Sequence, residues 1–175
     1  MPIAFEDIDD FARGALTAVA QYKIEFILPS DRLLDENYVL PALTWSSVPY
    51  GEDGVNAVPD NRRGIYAFAI CKESLVLPPH CYVLYIGIAG KDSDRSLRAR
   101  YKEYLNVKKV LKRDRIARMV GTWRAVLRFY FAPVDEDVTS AQLEELERQL
   151  NGKLLPPMSE GDLEAGIKKQ RRAFR

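Results

Sequence analysis

The stretch from Gly64 to Arg100 constrains this chain more than any other. It opens with Gly64-Ile65-Tyr66 inside RGIYAFAI, continues through Tyr85-Ile86-Gly87 inside CYVLYIGIAG, and closes on SLRARYKEYL, which carries Arg100 and Tyr104. Short apolar runs rich in aromatic and β-branched residues read as strands. The stretch therefore predicts a hairpin of Gly64 to Ile70 against Tyr82 to Ile88, followed by a Gly-bearing loop and a basic helix over Ser93 to Leu105. Glycine at a strand position admits the close approach of another backbone or of a substrate. Here each strand sets one glycine near one tyrosine.

The rest of the chain falls around this hairpin. Phe5, Ile8, Phe11 and Ala15 recur at helical spacing and predict a first helix over Phe5 to Ala20. Tyr22 to Phe26 alternates polar and apolar residues and predicts a short strand. Between Pro29 and Asn61, prolines, glycines and acids surround an apolar patch from Tyr38 to Trp45, a wrapping extension with too little periodicity for its own core. Covering a sheet edge, making a dimer contact and binding a partner are all open to it. Val107 to Val120 predicts a second basic helix, with Val107, Val110, Leu111 and Ile116 inward. Trp123 to Phe131 predicts a third strand. Thr139 to Gln142 has the form of a capping box opening a helix that holds Glu147, and Pro156-Pro157 stops it. Ser159 to Phe174 reads as a last helix or a basic arm.

Charge separates along the sequence although the net charge is only +1. Residues 1–61 hold eleven acids and three bases, whereas residues 91–128 hold thirteen bases and four acids, and the last eight residues add five bases. Such a local positive field favours a polyanionic partner. No run of about eighteen apolar residues is present, so no membrane span is expected. The N-terminal MPIAFEDIDD is acidic and lacks the apolar region of a signal peptide, so the expected location is cytoplasmic. Cys71 and Cys81 lie on or beside the two central strands and are expected as buried small hydrophobes rather than a disulfide or a metal pair.

The paired tripeptides Gly64-Ile65-Tyr66 and Tyr85-Ile86-Gly87 resemble the signature of the GIY-YIG nuclease superfamily. After YIG that family has a Leu-x-x-Arg pattern, which Leu97 to Arg100 supplies, and a His or Tyr one turn later, where Tyr104 stands. Further on it has a helical glutamate followed about nine residues later by a proline, matched by Glu147 and Pro156. The resemblance spans about Arg63 to Ser159. The sequence departs from the pattern in a longer hairpin connection around Leu77-Pro78-Pro79-His80 and in a long loop between Gly87 and Leu97. Ser159 stands where the family has an asparagine, and Ile88 where it often has a basic residue.

The resemblance implies a small α/β domain with a central, mainly antiparallel three-stranded sheet flanked by helices. Residues 62–159 would form it, residues 1–61 would extend it, and residues 160–175 would make a basic C-terminal helix or arm. It implies a metal-dependent endonuclease acting on DNA, most simply double-stranded, of restriction or defence type, working alone, as a homodimer or with a partner subunit. The different-class alternative is a domain of the same shape that holds nucleic acid or a protein without cutting.

The chain has a single histidine, His80, in the hairpin connection, so the resemblance assigns base chemistry to tyrosine. A free phenol has a pKa near 10 and becomes a base only where nearby cations favour the phenolate. Tyr66 takes the base or water-orienting role with Tyr85 close by. Arg100 clamps phosphate through its planar, permanently charged fork, with Arg98 as its competitor two positions away. Tyr104 completes the set. Glu147 would hold Mg2+ or Mn2+ with water and substrate oxygens filling the shell. Gly87, Arg95, Arg98, Lys108, Lys109, Lys112, Arg113 and Arg115 are the candidate nucleic-acid contacts, and Gly64 and Ser159 the supporting residues.

Overall fold

The computed structural model describes residues 5–72, 74–78, 80–90 and 95–159, with residues 5–7 and 9 as backbone only. In chain order the elements are α1 (Phe5–Ala20), α2 (Ser30–Leu33), β1 (Ser46–Pro49), a 3-10 turn (Val55–Ala57), β2 (Gly64–Ile70), β3 (Tyr82–Ala89), α3 (Leu97–Leu105), α4 (Val107–Val110), α5 (Asp114–Trp123), β4 (Leu127–Pro133) and α6 (Ser140–Leu154). The four strands form one antiparallel sheet in the order β1-β4-β2-β3.

β2 lies inside this sheet with helices on both faces, which explains its unbroken apolar sequence. On one face Tyr66, Phe68, Tyr85, Phe129 and Phe131 meet Leu97, Tyr101 and Tyr104 of α3 and Ile116, Met119 and Trp123 of α5. On the other, Ile65, Ala67, Ile86 and Ala132 meet Leu143 and Leu146 of α6, with Tyr38, Val39, Leu40 and Leu43 packed alongside. That apolar patch is tied to α6 by side chains. Lys153 donates to the carbonyls of Asp35 and Asn37, its ammonium lies 3.9 Å from the Tyr38 ring centroid, and Gln149 accepts from the Val39 N–H.

Several elements follow their local signals. α1 covers the expected residues, although Phe11, Leu16 and Val19 stay exposed. The Thr139 capping box forms with Gln142, and α6 ends at Leu154, with Leu155 in the left-handed region (φ 44°) before the two prolines. The Met158 N–H then donates to the Leu84 carbonyl, and the Ser159 hydroxyl accepts from the Ile86 N–H, so this segment covers the outer edge of β3.

Other expectations are corrected. The sheet has four strands rather than three, because Ser46–Pro49 of the extension pairs with β4. The extension therefore covers a sheet edge, one of the roles left open for it. Tyr22 to Phe26 is no strand; Phe26 instead packs its ring against Tyr82, at 5.6 Å between centroids. The helix expected over Val107 to Val120 is broken into α4 and α5 by a turn at Leu111 to Arg113, so Val110 and Ile116 are buried while Val107 and Leu111 are exposed. Trp123 closes α5 instead of opening the third strand. α3 begins at Leu97, where the Ser96 hydroxyl caps the Ala99 N–H. Cys71 is half-buried and Cys81 exposed, because both sit just beyond the paired ends of β2 and β3 rather than in the core. The reading of Ser159 to Phe174 lies outside the described residues after Ser159.

Candidate active site

β2 and β3 pair so that Tyr66 stands opposite Gly87 and Phe68 opposite Tyr85. The missing side chain at Gly87 leaves a gap into which the Tyr66 ring leans; a Cβ there would lie 2.5 Å from the Tyr66 hydroxyl oxygen and 2.7 Å from its ring carbon. Gly64 does different work. A Cβ there would run into the Ala132 carbonyl of β4, so this glycine lets two backbones approach.

α3 brings the other half of the site. Arg100 and Tyr104, one turn apart, both reach Tyr66: Arg100 Nε donates to the Tyr66 hydroxyl at 2.9 Å, and the Tyr104 hydroxyl lies 2.7 Å from it. Tyr85 joins through its ring, 6.3 Å from Tyr66 and 6.2 Å from Tyr104 between centroids. Tyr101, one residue past Arg100, points elsewhere. It stacks on Phe129 at 4.4 Å, and its hydroxyl accepts from the Gly51 N–H at 2.9 Å. The structure thus separates Arg100 from Arg98. Arg98 Nε donates to the Val58 carbonyl at 2.7 Å, and its other nitrogens reach Asn56 and Asp60, so it holds α3 to the loop before β2.

Two residues join the cluster that sequence did not place there. Glu103 accepts from Arg100 Nη1 at 2.7 Å and also pairs with Arg95 at 3.4 Å and Lys109 at 3.1 Å. An acid at i+3 from Arg100 within the most basic stretch is a signal that could have found it. Arg113, from the turn between α4 and α5, sets its guanidinium 5.0 Å from the Tyr104 ring centroid and 5.8 Å from that of Tyr85. No spacing rule points there, because the break between the helices was itself unforeseen.

Burial controls the electrostatics. Tyr66 is fully buried, and burial first, then Tyr104 and Tyr85, push its phenol well above the ordinary range; Arg100 pulls the other way without prevailing. Of the two cations expected to favour a phenolate, Arg100 and a divalent metal, Arg100 by itself is therefore outweighed, and without the second the Tyr66 phenol is neutral at neutral pH. For Glu103, burial would raise the carboxyl, but Lys109, Arg100 and Arg95 together hold it below the ordinary range.

The remaining candidates spread out from this cluster. Lys108, Lys112 and Arg115 are exposed around the α4–α5 turn. Glu147 is half-buried on α6, the helix whose Leu143 and Leu146 pack on the sheet face opposite Tyr66. One turn further, Asn151 is buried with both side-chain amide atoms unpartnered. Among the described residues no group of three or more His, Cys, Asp or Glu gathers as a metal cage.

No family model, curated protein or solved structure matches the chain. No described helix is long and apolar enough to cross a membrane.

Proposed function

We propose that this chain is a GIY-YIG-type, metal-dependent endonuclease that hydrolyses DNA phosphodiester bonds, of restriction or defence kind. The observation that carries the reading is the hydrogen-bonded assembly Arg100–Tyr66–Tyr104, in which residues from both halves of the motif meet at one hydroxyl. Three tyrosines and two arginines around one point have little to offer a neutral metabolite and much to offer a phosphate.

In this reading Arg100 binds a phosphate oxygen, and Glu103 fixes the guanidinium so that Nε remains on Tyr66. Tyr66, as a neutral phenol, orients the attacking water and acts as a relay rather than a standing base. It takes the water's proton while giving its own to Tyr104 along the short contact, and Tyr104 gives its proton to the leaving sugar oxygen as the P–O bond breaks. Glu147, with the unpartnered Asn151 amide oxygen one turn away, offers hard oxygen donors of the kind Mg2+ or Mn2+ takes. A divalent ion held there would supply positive charge from the α6 side of the sheet, opposite the face on which Arg100 and Tyr66 stand.

One observation favours the second reading, a domain that binds without cutting: the Tyr66 hydroxyl is closed in by Arg100 and Tyr104. End-labelled duplex incubated with the full chain and Mn2+ distinguishes the two. Products with discrete ends support hydrolysis, whereas a retarded but intact duplex supports the binding module.

A further inference from the structure

We infer that Arg113 is a second phosphate-binding arginine of this site, so that a phosphate group is held between Arg100 and Arg113 across the Tyr104 ring. The inference rests on the phosphodiester reading above, because it places the reacting phosphate at Arg100. It adds a residue, a geometry and a charge balance to that reading.

The geometry comes first. Arg100 and Arg113 arrive from different elements and converge on one ring, with guanidinium carbons 5.5 Å and 5.0 Å from the Tyr104 centroid. Arg113 is aimed by its backbone: it precedes α5 with φ −130° and ψ 84°, and its N–H donates to the Val110 carbonyl at 2.9 Å. Because Val110 is buried, this turn is anchored and the side chain is directed inward over Tyr85 and Tyr104.

Charge balance comes second. Arg95, Arg100 and Lys109 share the Glu103 carboxylate. Arg113 pairs with no carboxylate among the described residues; its neighbours are the phenols of Tyr104, Tyr85 and Tyr66. A half-buried cation facing hydroxyls and ring faces rather than a carboxylate is under-compensated, and a ring face returns only part of what an ion pair would.

Donor capacity comes third. A guanidinium carries five N–H donors. Arg113 spends donors on the Tyr85 hydroxyl, in a long bond of 3.3 Å, and on Tyr104, and Arg100 spends Nε on Tyr66 and Nη1 on Glu103. Both forks therefore keep donors for an added anion. A phosphate diester or monoester, with several acceptor oxygens, satisfies two forks together, which a single carboxylate does less well.

The test pairs a ligand measurement with a rate. Inorganic phosphate is titrated into the full chain while the tyrosine ultraviolet difference spectrum is followed. The variants are Arg113→Gln, Arg113→Lys and, as control, Lys102→Gln on the exposed side of α3. Single-turnover cleavage of a duplex in Mn2+ is measured on the same proteins. Wild type and Lys102→Gln should give the same saturable spectral change. Arg113→Gln should bind phosphate at least tenfold more weakly and cleave about 10²-fold more slowly, the usual cost of losing one charge-stabilising donor. Arg113→Lys, which keeps the charge and loses the fork, should fall between them, and it decides the matter if Arg113→Gln does not fold. If the Arg113 variants respond to phosphate like Lys102→Gln, or if wild type shows no response, Arg113 only packs on the rings and the inference fails. If wild type cuts no duplex while the titration still separates the variants, the nuclease reading fails and the phosphate site stands.

Discussion

The Tyr66 hydroxyl occupies the space that a side chain at Gly87 would need: a Cβ at Gly87 would lie 2.5 Å from it. The two tripeptides are thus not separate marks on two strands. The glycine of the second makes room for the tyrosine of the first, and α3 then closes on that tyrosine with Arg100 and Tyr104.

The two glycines should fail in different ways. Gly87→Ala pushes the Tyr66 ring out of line with Arg100 while the strand pairing survives, so activity should fall about 10²-fold or more with a small change in unfolding midpoint. Gly64→Ala forces a methyl against the β4 backbone and should cost about 1–3 kcal/mol of stability. Urea unfolding and single-turnover cleavage on both variants check this. Equal stability losses would remove the distinction.

Tyr66→Phe should be the more severe catalytic lesion and Tyr101→Phe the more structural one. Losing a proton-transfer group costs about 10²–10⁴ in rate. Tyr101→Phe leaves the half-buried Gly51 N–H without its partner, which costs about 0.5–1.5 kcal/mol of stability. Single turnover at saturating enzyme removes binding from the comparison. Equal rates for the two folded variants would take phenol chemistry away from Tyr66.

Much of this arrangement was legible in the sequence, for physical reasons. Unbroken apolar runs and the two tyrosine–glycine pairs located the hairpin, the i, i+4 spacing of Arg100 and Tyr104 put both on one helix face, and the Thr139 capping box marked the start of α6. β1 was missed because Ser46–Pro49 is four residues of low strand propensity whose pairing is set by tertiary contacts. The Val107–Val120 helix was drawn unbroken because charged residues on both sides of Leu111 to Arg113 carry no glycine or proline to mark a turn. An unbroken helix turns Arg113 outward as a nucleic-acid contact, whereas the turn sets it beside Tyr104.

Alkaline pH should unfold the protein through its phenols. Burial raises the Tyr101 hydroxyl to about 12 and also drives Tyr66 upward. A raised folded-state value means that the neutral form is favoured in the fold. The stability this adds is complete below the unfolded value near 10 and is lost as pH rises toward about 12. Denaturant midpoints should therefore drop steeply from about pH 10 upward, and Tyr101→Phe should flatten the drop. A wild-type midpoint that stays level to about pH 11.5 would show these phenols to be solvated.

Binding to duplex DNA should weaken steeply with salt. The exposed Lys108, Lys112 and Arg115 surround the turn that presents Arg113. Each phosphate contact neutralised by a cation contributes a slope of about −0.9 to log K against log salt. The Lys108→Glu, Lys112→Glu double variant should weaken binding to all sequences alike and make the slope less negative by about two. Lys109 is left out because it pairs with Glu103. An unchanged slope would mean that these lysines face only water.

The central claim is that Glu147 and the Tyr66 cluster act together in metal-dependent cleavage. The most direct measurement is relaxation and linearisation of supercoiled plasmid by purified wild type and Glu147→Ala, in Mg2+ or Mn2+, with and without chelator. The account predicts cleavage by wild type that chelator abolishes, and none by a Glu147→Ala protein that is folded and still binds DNA. Plasmid left intact by wild type, or cut at the same rate by Glu147→Ala, would contradict it.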